Sequence, residues 1–382
     1  MNTDNLSALA VGIGVVMLIA GFGVYFNSPE LNKAAPGQQK GFVPAATFED
    51  NSTITRAQID KSQFKLAPEL TKISGYINSD PITLADLRGK VVLVDFWTYS
   101  CINCIRTIPY LNAWYEKYAD DGLVIVGVHT PEFEFEKDYN NVKAAVEKFG
   151  IKYPVALDNE KQTWSAYENR YWPRKYLIDS EGYVRYDHIG EGAYAETEKV
   201  IQSLLAERTQ YMSGNRTIDQ SISNPESAQS INFDQINTPE LYFGYQYASM
   251  PLGNSEGYKP DQVVKYTIPG NTKIIPNRIY LAGQWKNNAD HMELQNEVGR
   301  IVLSYSAKAV NIVAGGSGEL RILEDNSQPD SSSRGTDVSQ DGTVKINGQR
   351  LYNVVMHKEY GNHQIAIDVV GRGLQIYTFT FG

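Results

Sequence analysis

The only two cysteines of the chain, Cys101 and Cys104, are separated by two residues. They stand at the end of the run Val94-Asp95-Phe96-Trp97-Thr98-Tyr99-Ser100-Cys101-Ile102-Asn103-Cys104. An apolar strand pattern ends here, a short loop follows, and a helical pattern begins at the first cysteine. The free N–H groups and partial positive charge of a helix N-terminus stabilise a thiolate, and the thiolate is the nucleophile of disulfide exchange. Cys101 is therefore expected to attack. Cys104 lies one helical turn on, within reach to resolve a mixed disulfide. Half of a zinc knuckle or a static disulfide has the same spacing. The strand, Trp97, loop and helix around the pair point instead to redox chemistry. Two thiols cannot build a Cys-rich tetrahedral zinc site, so no metal and no organic cofactor are expected beyond the redox-active disulfide itself.

Four further positions join the candidate site. Asp95 sits in an apolar run, where burial raises a carboxylate pKa and suits it to take the proton of Cys104; the competing reading is a satisfied structural Asp. Pro173, after Trp172, is a candidate cis proline lying against the cysteines and presenting the preceding backbone to a substrate chain, against an ordinary trans loop proline. His129, at a strand end, is a candidate for substrate contact or for tuning Cys101, against a packed or solvated loop histidine. Trp97 and Trp172 are supporting residues. Two weaker signals lie in the C-terminal part. Tyr242, Tyr245, Tyr247 and Trp285 read either as a sugar-stacking surface or as core. Asp325, Asp330, Asp337 and Asp341 read as a solvated loop matching no calcium-loop spacing.

The elements that must position these residues follow from periodicity. Residues 90–96 read as a buried central strand. Residues 102–119 read as a helix, kinked at Pro109. A strand over 123–129 and a helix over 135–149 come next, then a strand over 153–157 and a short helix through Trp164 and Tyr167. Strands over 175–179 and 183–189 bracket a hairpin turn at Ser180-Glu181-Gly182, and a helix over 194–205 closes the unit. From residue 238 helical periodicity disappears. Apolar stretches at 278–282, 300–305, 310–313, 320–323, 351–357, 364–370 and 374–381 suggest an antiparallel β-sandwich.

The length, 382 residues, suits two domains plus connecting segments. The net charge of −9 disfavours nucleic-acid partners. Residues 6–26 carry no charge and are long enough to span a bilayer. Without a basic leader or an evident cleavage site, an uncleaved anchor is preferred to a signal peptide. Lys33 and Lys40 after this run point one way by the positive-inside rule. The absence of any other thiol points to an oxidising, extracytoplasmic compartment and outweighs them. The expected division is an anchor over 1–26, a linker over 27–66, an α/β redox domain over 67–207, a linker over 208–237 and a β-domain over 238–382. Asn51-Ser52-Thr53 and Asn215-Arg216-Thr217 are glycosylation-type triplets that decide nothing.

The segments GKVVLVDFWTYSCINCIRTIPYLNAWY, GVHTPEFEFE and WPRKYLIDSEGYVRYDHIGEGAY resemble the TlpA-type thioredoxins of the DipZ family. TPELYFGY from Thr238, LAGQW from Leu281, RLY from Arg350 and the terminal FTFG resemble the carbohydrate-binding-module-like domain that ends those proteins. The resemblance runs in order over about 67–382. It implies an α/β thioredoxin-like domain plus an all-β, jelly-roll-like sandwich behind an N-terminal transmembrane helix. It also implies Cys101 and Cys104 as the redox pair, Pro173 as the cis proline, and delivery of reducing equivalents to disulfides of exported proteins. The sequence departs from the family where a multi-helix electron-transfer domain gives way to one anchor, so a separate membrane protein is the expected electron donor. Ser100 replaces the Trp of general thioredoxins, and Ile102-Asn103 replaces their Gly-Pro, so thioredoxin's potential does not transfer. Two rival functions stand beside disulfide exchange: a glycan- or protein-binding surface protein with a structural disulfide, and a thiol peroxidase.

Overall fold

The computed structural model describes residues 60–212 and 216–382. The expected anchor over 1–26, most of the first linker and both glycosylation-type triplets at least in part lie outside the described residues. Among those residues no helix is long and apolar enough to cross a membrane.

The first domain runs β1 (Tyr76–Ile77), β2 (Val91–Trp97), α1 (Ile102–Tyr118), β3 (Leu123–His129), α2 (Tyr139–Lys148), β4 (Val155–Leu157), α3 (Gln162–Ala166), β5 (Arg174–Ile178), β6 (Val184–Ile189) and α4 (Tyr194–Tyr211). Its sheet has the order β1-β4-β3-β2-β5-β6. Every residue of β2 is buried, which accounts for its near-continuous apolar sequence. β2 pairs in parallel with β3 and antiparallel with β5, so Asp95 lies between Gly127 and Lys175. Helix α1 buries Leu111, Trp114 and Tyr118 completely and runs unbroken past Pro109.

Three expectations need correction. The helix expected over 135–149 is a 3-10 turn, Glu134–Lys137, followed by α2. Asp138 divides them, because its carboxylate accepts from the N–H groups of Asn140 and Asn141 and starts α2 as an N-cap. Helix α4 continues to Tyr211, into the expected second linker. The segment after residue 215 is not a free tether. Ile218 is buried in the α/β core, the Ser221 carbonyl accepts from Gln202 at 2.9 Å, and Ser223 donates twice to Glu198 at 2.7 and 2.8 Å.

The second domain is all-β: β7 (Leu241–Tyr242), β8 (Val263–Tyr266), β9 (Tyr280–Asn287), β10 (Met292–Leu294), β11 (Val298–Gly315), β12 (Gly318–Glu324), β13 (Thr343–Ile346), β14 (Arg350–Val370) and β15 (Gln375–Phe381). All of the pairings are antiparallel, in the order β13-β12-β14-β11-β15-β10-β9-β8, with β7 on β15 and a second pairing of β11 with β9. The two stretches expected at 300–305 and 310–313 are one long strand, β11, and those at 351–357 and 364–370 are one strand, β14. A register shift between Ala307 and Ala309 marks the break that the sequence suggested.

The domains share a core. Val313 and Tyr377 of the all-β domain are buried in the cluster that contains Cys104, Trp97 and Trp114. The Tyr377 ring lies 5.1 Å from that of Phe133 and 4.8 Å from that of Phe135. Replacing a buried aromatic of this kind costs about 3 kcal/mol or more. Tyr377→Ala should lower the stability of the α/β domain by that order in urea unfolding, although the residue belongs to the other domain; an unchanged midpoint contradicts a shared core.

Candidate active site

Cys101 is the N-cap of α1, with extended dihedrals of φ −79° and ψ 116°. Its Sγ accepts the backbone N–H of Cys104 at 3.3 Å, so an otherwise unpaired donor of the first helical turn points at sulfur. Cys101 is half-buried, while Cys104 is only 1% exposed. The two thiols are unbonded. One is therefore open to a partner, and the other is shielded behind it, as the spacing predicts.

The Trp172–Pro173 peptide bond is cis, as expected for Pro173. The Trp172 carbonyl lies 4.0 Å from Cys101 Sγ. The Trp172 indole is held from behind: its Nε1 donates to the Thr130 carbonyl at 2.9 Å, and its ring packs 4.1 Å from that of Trp164. The loop before β5 thus forms a wall beside the exposed sulfur.

Asp95 is 2% exposed and its Oδ1 has no hydrogen-bond partner. Burial pushes its pKa up to about 7, against the opposing pull of the Lys175 charge. Burial also pushes the Cys104 thiol well up, aided by its hydrogen bond with Cys101, and the Asp95 charge acts in the same direction. Asp95 and Cys104 thus share one desolvated site. Lys175, directly across from Asp95 on β5, is fully buried, and burial pulls its pKa down. Its Nζ donates to the Gly190 carbonyl at 3.0 Å.

His129 takes a different place from that expected for substrate contact. It is fully buried at the end of β3, with Nε2 3.3 Å from Thr98 Oγ1. Its ring packs edge-on to Trp97 and stacks with Tyr99. Burial pulls its pKa down to about 3, so it stays neutral. It packs against Thr98 and Tyr99 of the loop before Cys101 and exposes no surface. Trp97 is likewise core, 1% exposed, with the bare backbone of Gly127 beside it; a Cβ there would come within 3.0 Å of Trp97 Nε1.

Several functional neighbours gave no sequence signal on their own. Buried Glu136 accepts from Ser100 Oγ at 2.5 Å and from the N–H groups of Glu132 and Phe133 at 2.6 and 3.0 Å, tying the residue before Cys101 to the turn after β3. Arg106, one turn beyond Asn103, binds Glu191 through Nε and Nη2 and also Asn103 Oδ1 at 2.6 Å. Such a fork fixes geometry as well as charge.

Three of the four aromatic residues considered for sugar stacking build the domain seam or the core instead, while Tyr245 donates to the Asp261 carboxylate at 3.2 Å within its own domain. Tyr242 donates to the Glu132 carboxylate at 2.6 Å and Tyr247 to the Glu132 carbonyl at 3.1 Å. Trp285 is fully buried. Along the seam a cleft of about 760 Å³ opens beside the first turns of α1, with Tyr99, Ile102 and Ile105 on one side and Lys308, Gln349 and Met356 on the other.

Residues 64–187 match the AhpC/TSA family, and residues 238–382 match the thioredoxin like C-terminal domain. DipZ of Mycobacterium tuberculosis is 36% identical over 324 residues, which is 83% of this chain and 43% of DipZ; the chain thus spans less than half the length of that relative. The thiol-disulfide oxidoreductase YkuV of Bacillus subtilis is 33% identical over 37% of this chain and 94% of its own length. The thiol-disulfide oxidoreductase ResA of Bacillus thuringiensis is 30% identical over 38% of this chain and 82% of its own. With a helix-capping dithiol, a cis proline beside it and near-complete coverage of YkuV, the chain belongs to the TlpA-like, thioredoxin-fold thiol–disulfide oxidoreductases and is a homologue of DipZ across both domains.

Proposed function

We propose that the protein is an extracytoplasmic, single-pass membrane-anchored thiol–disulfide oxidoreductase that reduces disulfides of exported proteins. The observation that carries this reading is the pair itself: an accessible sulfur at a helix N-terminus with a shielded thiol one turn behind it. Cys101 thiolate attacks a substrate disulfide, joins one sulfur and displaces the other as a thiolate. Cys104, losing its proton to the Asp95 carboxylate, then attacks Cys101 Sγ. The second substrate thiol leaves, the Cys101–Cys104 disulfide forms, and two electrons have passed to the substrate. A separate membrane protein returns them. No organic cofactor takes part. The Trp172 carbonyl before Pro173 is suited to hold the substrate backbone, and the all-β domain, read as a jelly-roll-like sandwich, walls the cleft alongside. The uncharged segment 6–26 serves as the anchor, and the absence of any third thiol suits an oxidising compartment.

A peroxidase reading asks for a guanidinium available to a bound peroxide. Arg106 holds Glu191 and Asn103 instead, which favours exchange between protein disulfides. A passive staple does not call for a buried carboxylate with an unpaired oxygen whose charge acts on the inner thiol.

With Cys104→Ser, substrates should accumulate as mixed disulfides on Cys101 in the native membrane, visible as reductant-sensitive adducts. Cys101→Ser should give none, and an absence of adducts in both sinks the proposal. Asp95 accepts a proton only as the carboxylate, so decay of the mixed disulfide should speed up as the pH rises through about 7 and level off above it. Asp95→Asn should slow that step by about 10²-fold and remove the inflection, as followed by rapid acid quench.

A further inference from the structure

The geometry points to a zinc-class divalent cation site in the all-β domain, held by Glu324, His357 and His363. One donor atom from each of the three lies within 4.8 Å of the others. His357 Nε2 is already 3.1 Å from Glu324 Oε1, close to the spacing of about 3.3 Å between ligand atoms in a tetrahedral zinc site with bonds near 2.0–2.1 Å.

The chain goes out of its way to make this cluster. His357 and His363 lie on the same strand, where six regular residues would separate them by about 20 Å. Their rings instead stack 4.3 Å apart. On β14, Met356 pairs with Ala309 and Gly361 pairs with Ala307, so the residues between them bulge outward opposite Lys308 and fold His357 back onto His363. Bulges of this kind re-aim side chains. Gly361 leaves the space that the ring needs, since a Cβ there would lie 2.5 Å from His363 Nε2.

The surroundings resemble the outer shell of a metal site. Asp325 Oδ2 lies 2.8 Å from His363 Nδ1, which fixes the tautomer and leaves Nε2 as a lone-pair donor. Tyr305 donates to the Glu324 carboxylate. Carboxylate-to-histidine and hydroxyl-to-carboxylate bonds are the usual means of orienting ligands. Glu324 is buried, whereas the side chains of His357 and His363 are 19% and 22% exposed. A cation there is accessible from solvent and keeps a fourth position for water or an added ligand. Two imidazoles and one carboxylate suit zinc or copper rather than calcium or magnesium. Bound across β12 and β14, the ion would pin the bulge.

The test uses the full chain with Cys101→Ser and Cys104→Ser, so that thiols cannot take the metal. Titration calorimetry with Zn²⁺ should show one ion per chain, and Co²⁺ should give a visible tetrahedral absorption band. His357→Ala and His363→Ala should each weaken binding at least about tenfold, with unchanged circular dichroism. In the chain with all histidines intact, zinc should shift the imidazole ¹H–¹⁵N signals of His357 and His363 and leave those of His188 and His291 in place. The absence of saturable binding, binding that survives the double replacement, or shifts at other histidines overturns the assignment.

Discussion

A carboxylate that lacks one hydrogen-bond partner and a thiol that lacks water share the same desolvated space behind Cys101. The rest of the α/β domain arranges itself around that constraint. A buried carboxylate prefers its proton, so Asp95 has a pKa of about 7 rather than the usual carboxylate range. The buried lysine opposite limits the shift and forbids a fully apolar strand pair. The outer cysteine faces the opposite conditions, with a helix N–H aimed at it and a route to solvent. In the proposed mechanism, one sulfur is thereby prepared for attack and the other is kept back until a proton acceptor is in place.

The all-β domain is part of this arrangement. Tyr377 and Val313 enter the α/β core, Tyr242 and Tyr247 grip Glu132, and Tyr99 donates to the Gln349 carbonyl at 3.3 Å. Glu132 and Glu136 belong to the same turn after β3, and Glu136 holds Ser100, the residue before Cys101. A short chain of contacts thus runs from the seam to the attacking sulfur. The cleft beside α1 has walls from both domains.

Much of the site was legible because its logic is local. The apolar run of β2, the loop and the cysteine spacing lie within the fourteen residues from Val91 to Cys104, and they specify strand, cap and helix together. Pro173 was legible from its place before a strand. The partners that fix the loop were not, because they lie far along the chain: Glu136 is 36 positions from Ser100, and Glu191 is 85 from Arg106. His129, at the end of the expected strand over 123–129, reads as a candidate for substrate contact or for tuning Cys101, yet β3 carries it into the core, where Trp97 and Tyr99 enclose it. In the all-β domain, polar interruptions near Lys308 and at 358–363 broke two long strands into four apparent short ones. They mark a bulge, not a turn. The helix expected across Asp138 failed for a related reason, since a side-chain cap overrode an otherwise continuous apolar pattern.

Cys101 and Cys104 are expected to interconvert readily between dithiol and disulfide. The direct measurement equilibrates the full chain against glutathione and dithiothreitol buffers and counts the free thiols by alkylation and mass. Reversible exchange with a two-electron midpoint at or near thioredoxin's value of about −270 mV is the predicted result and fits a reductase supplied from the membrane. A midpoint near −120 mV would contradict the direction assigned to electron flow, and a pair that stays in one state against both couples would contradict the redox account itself.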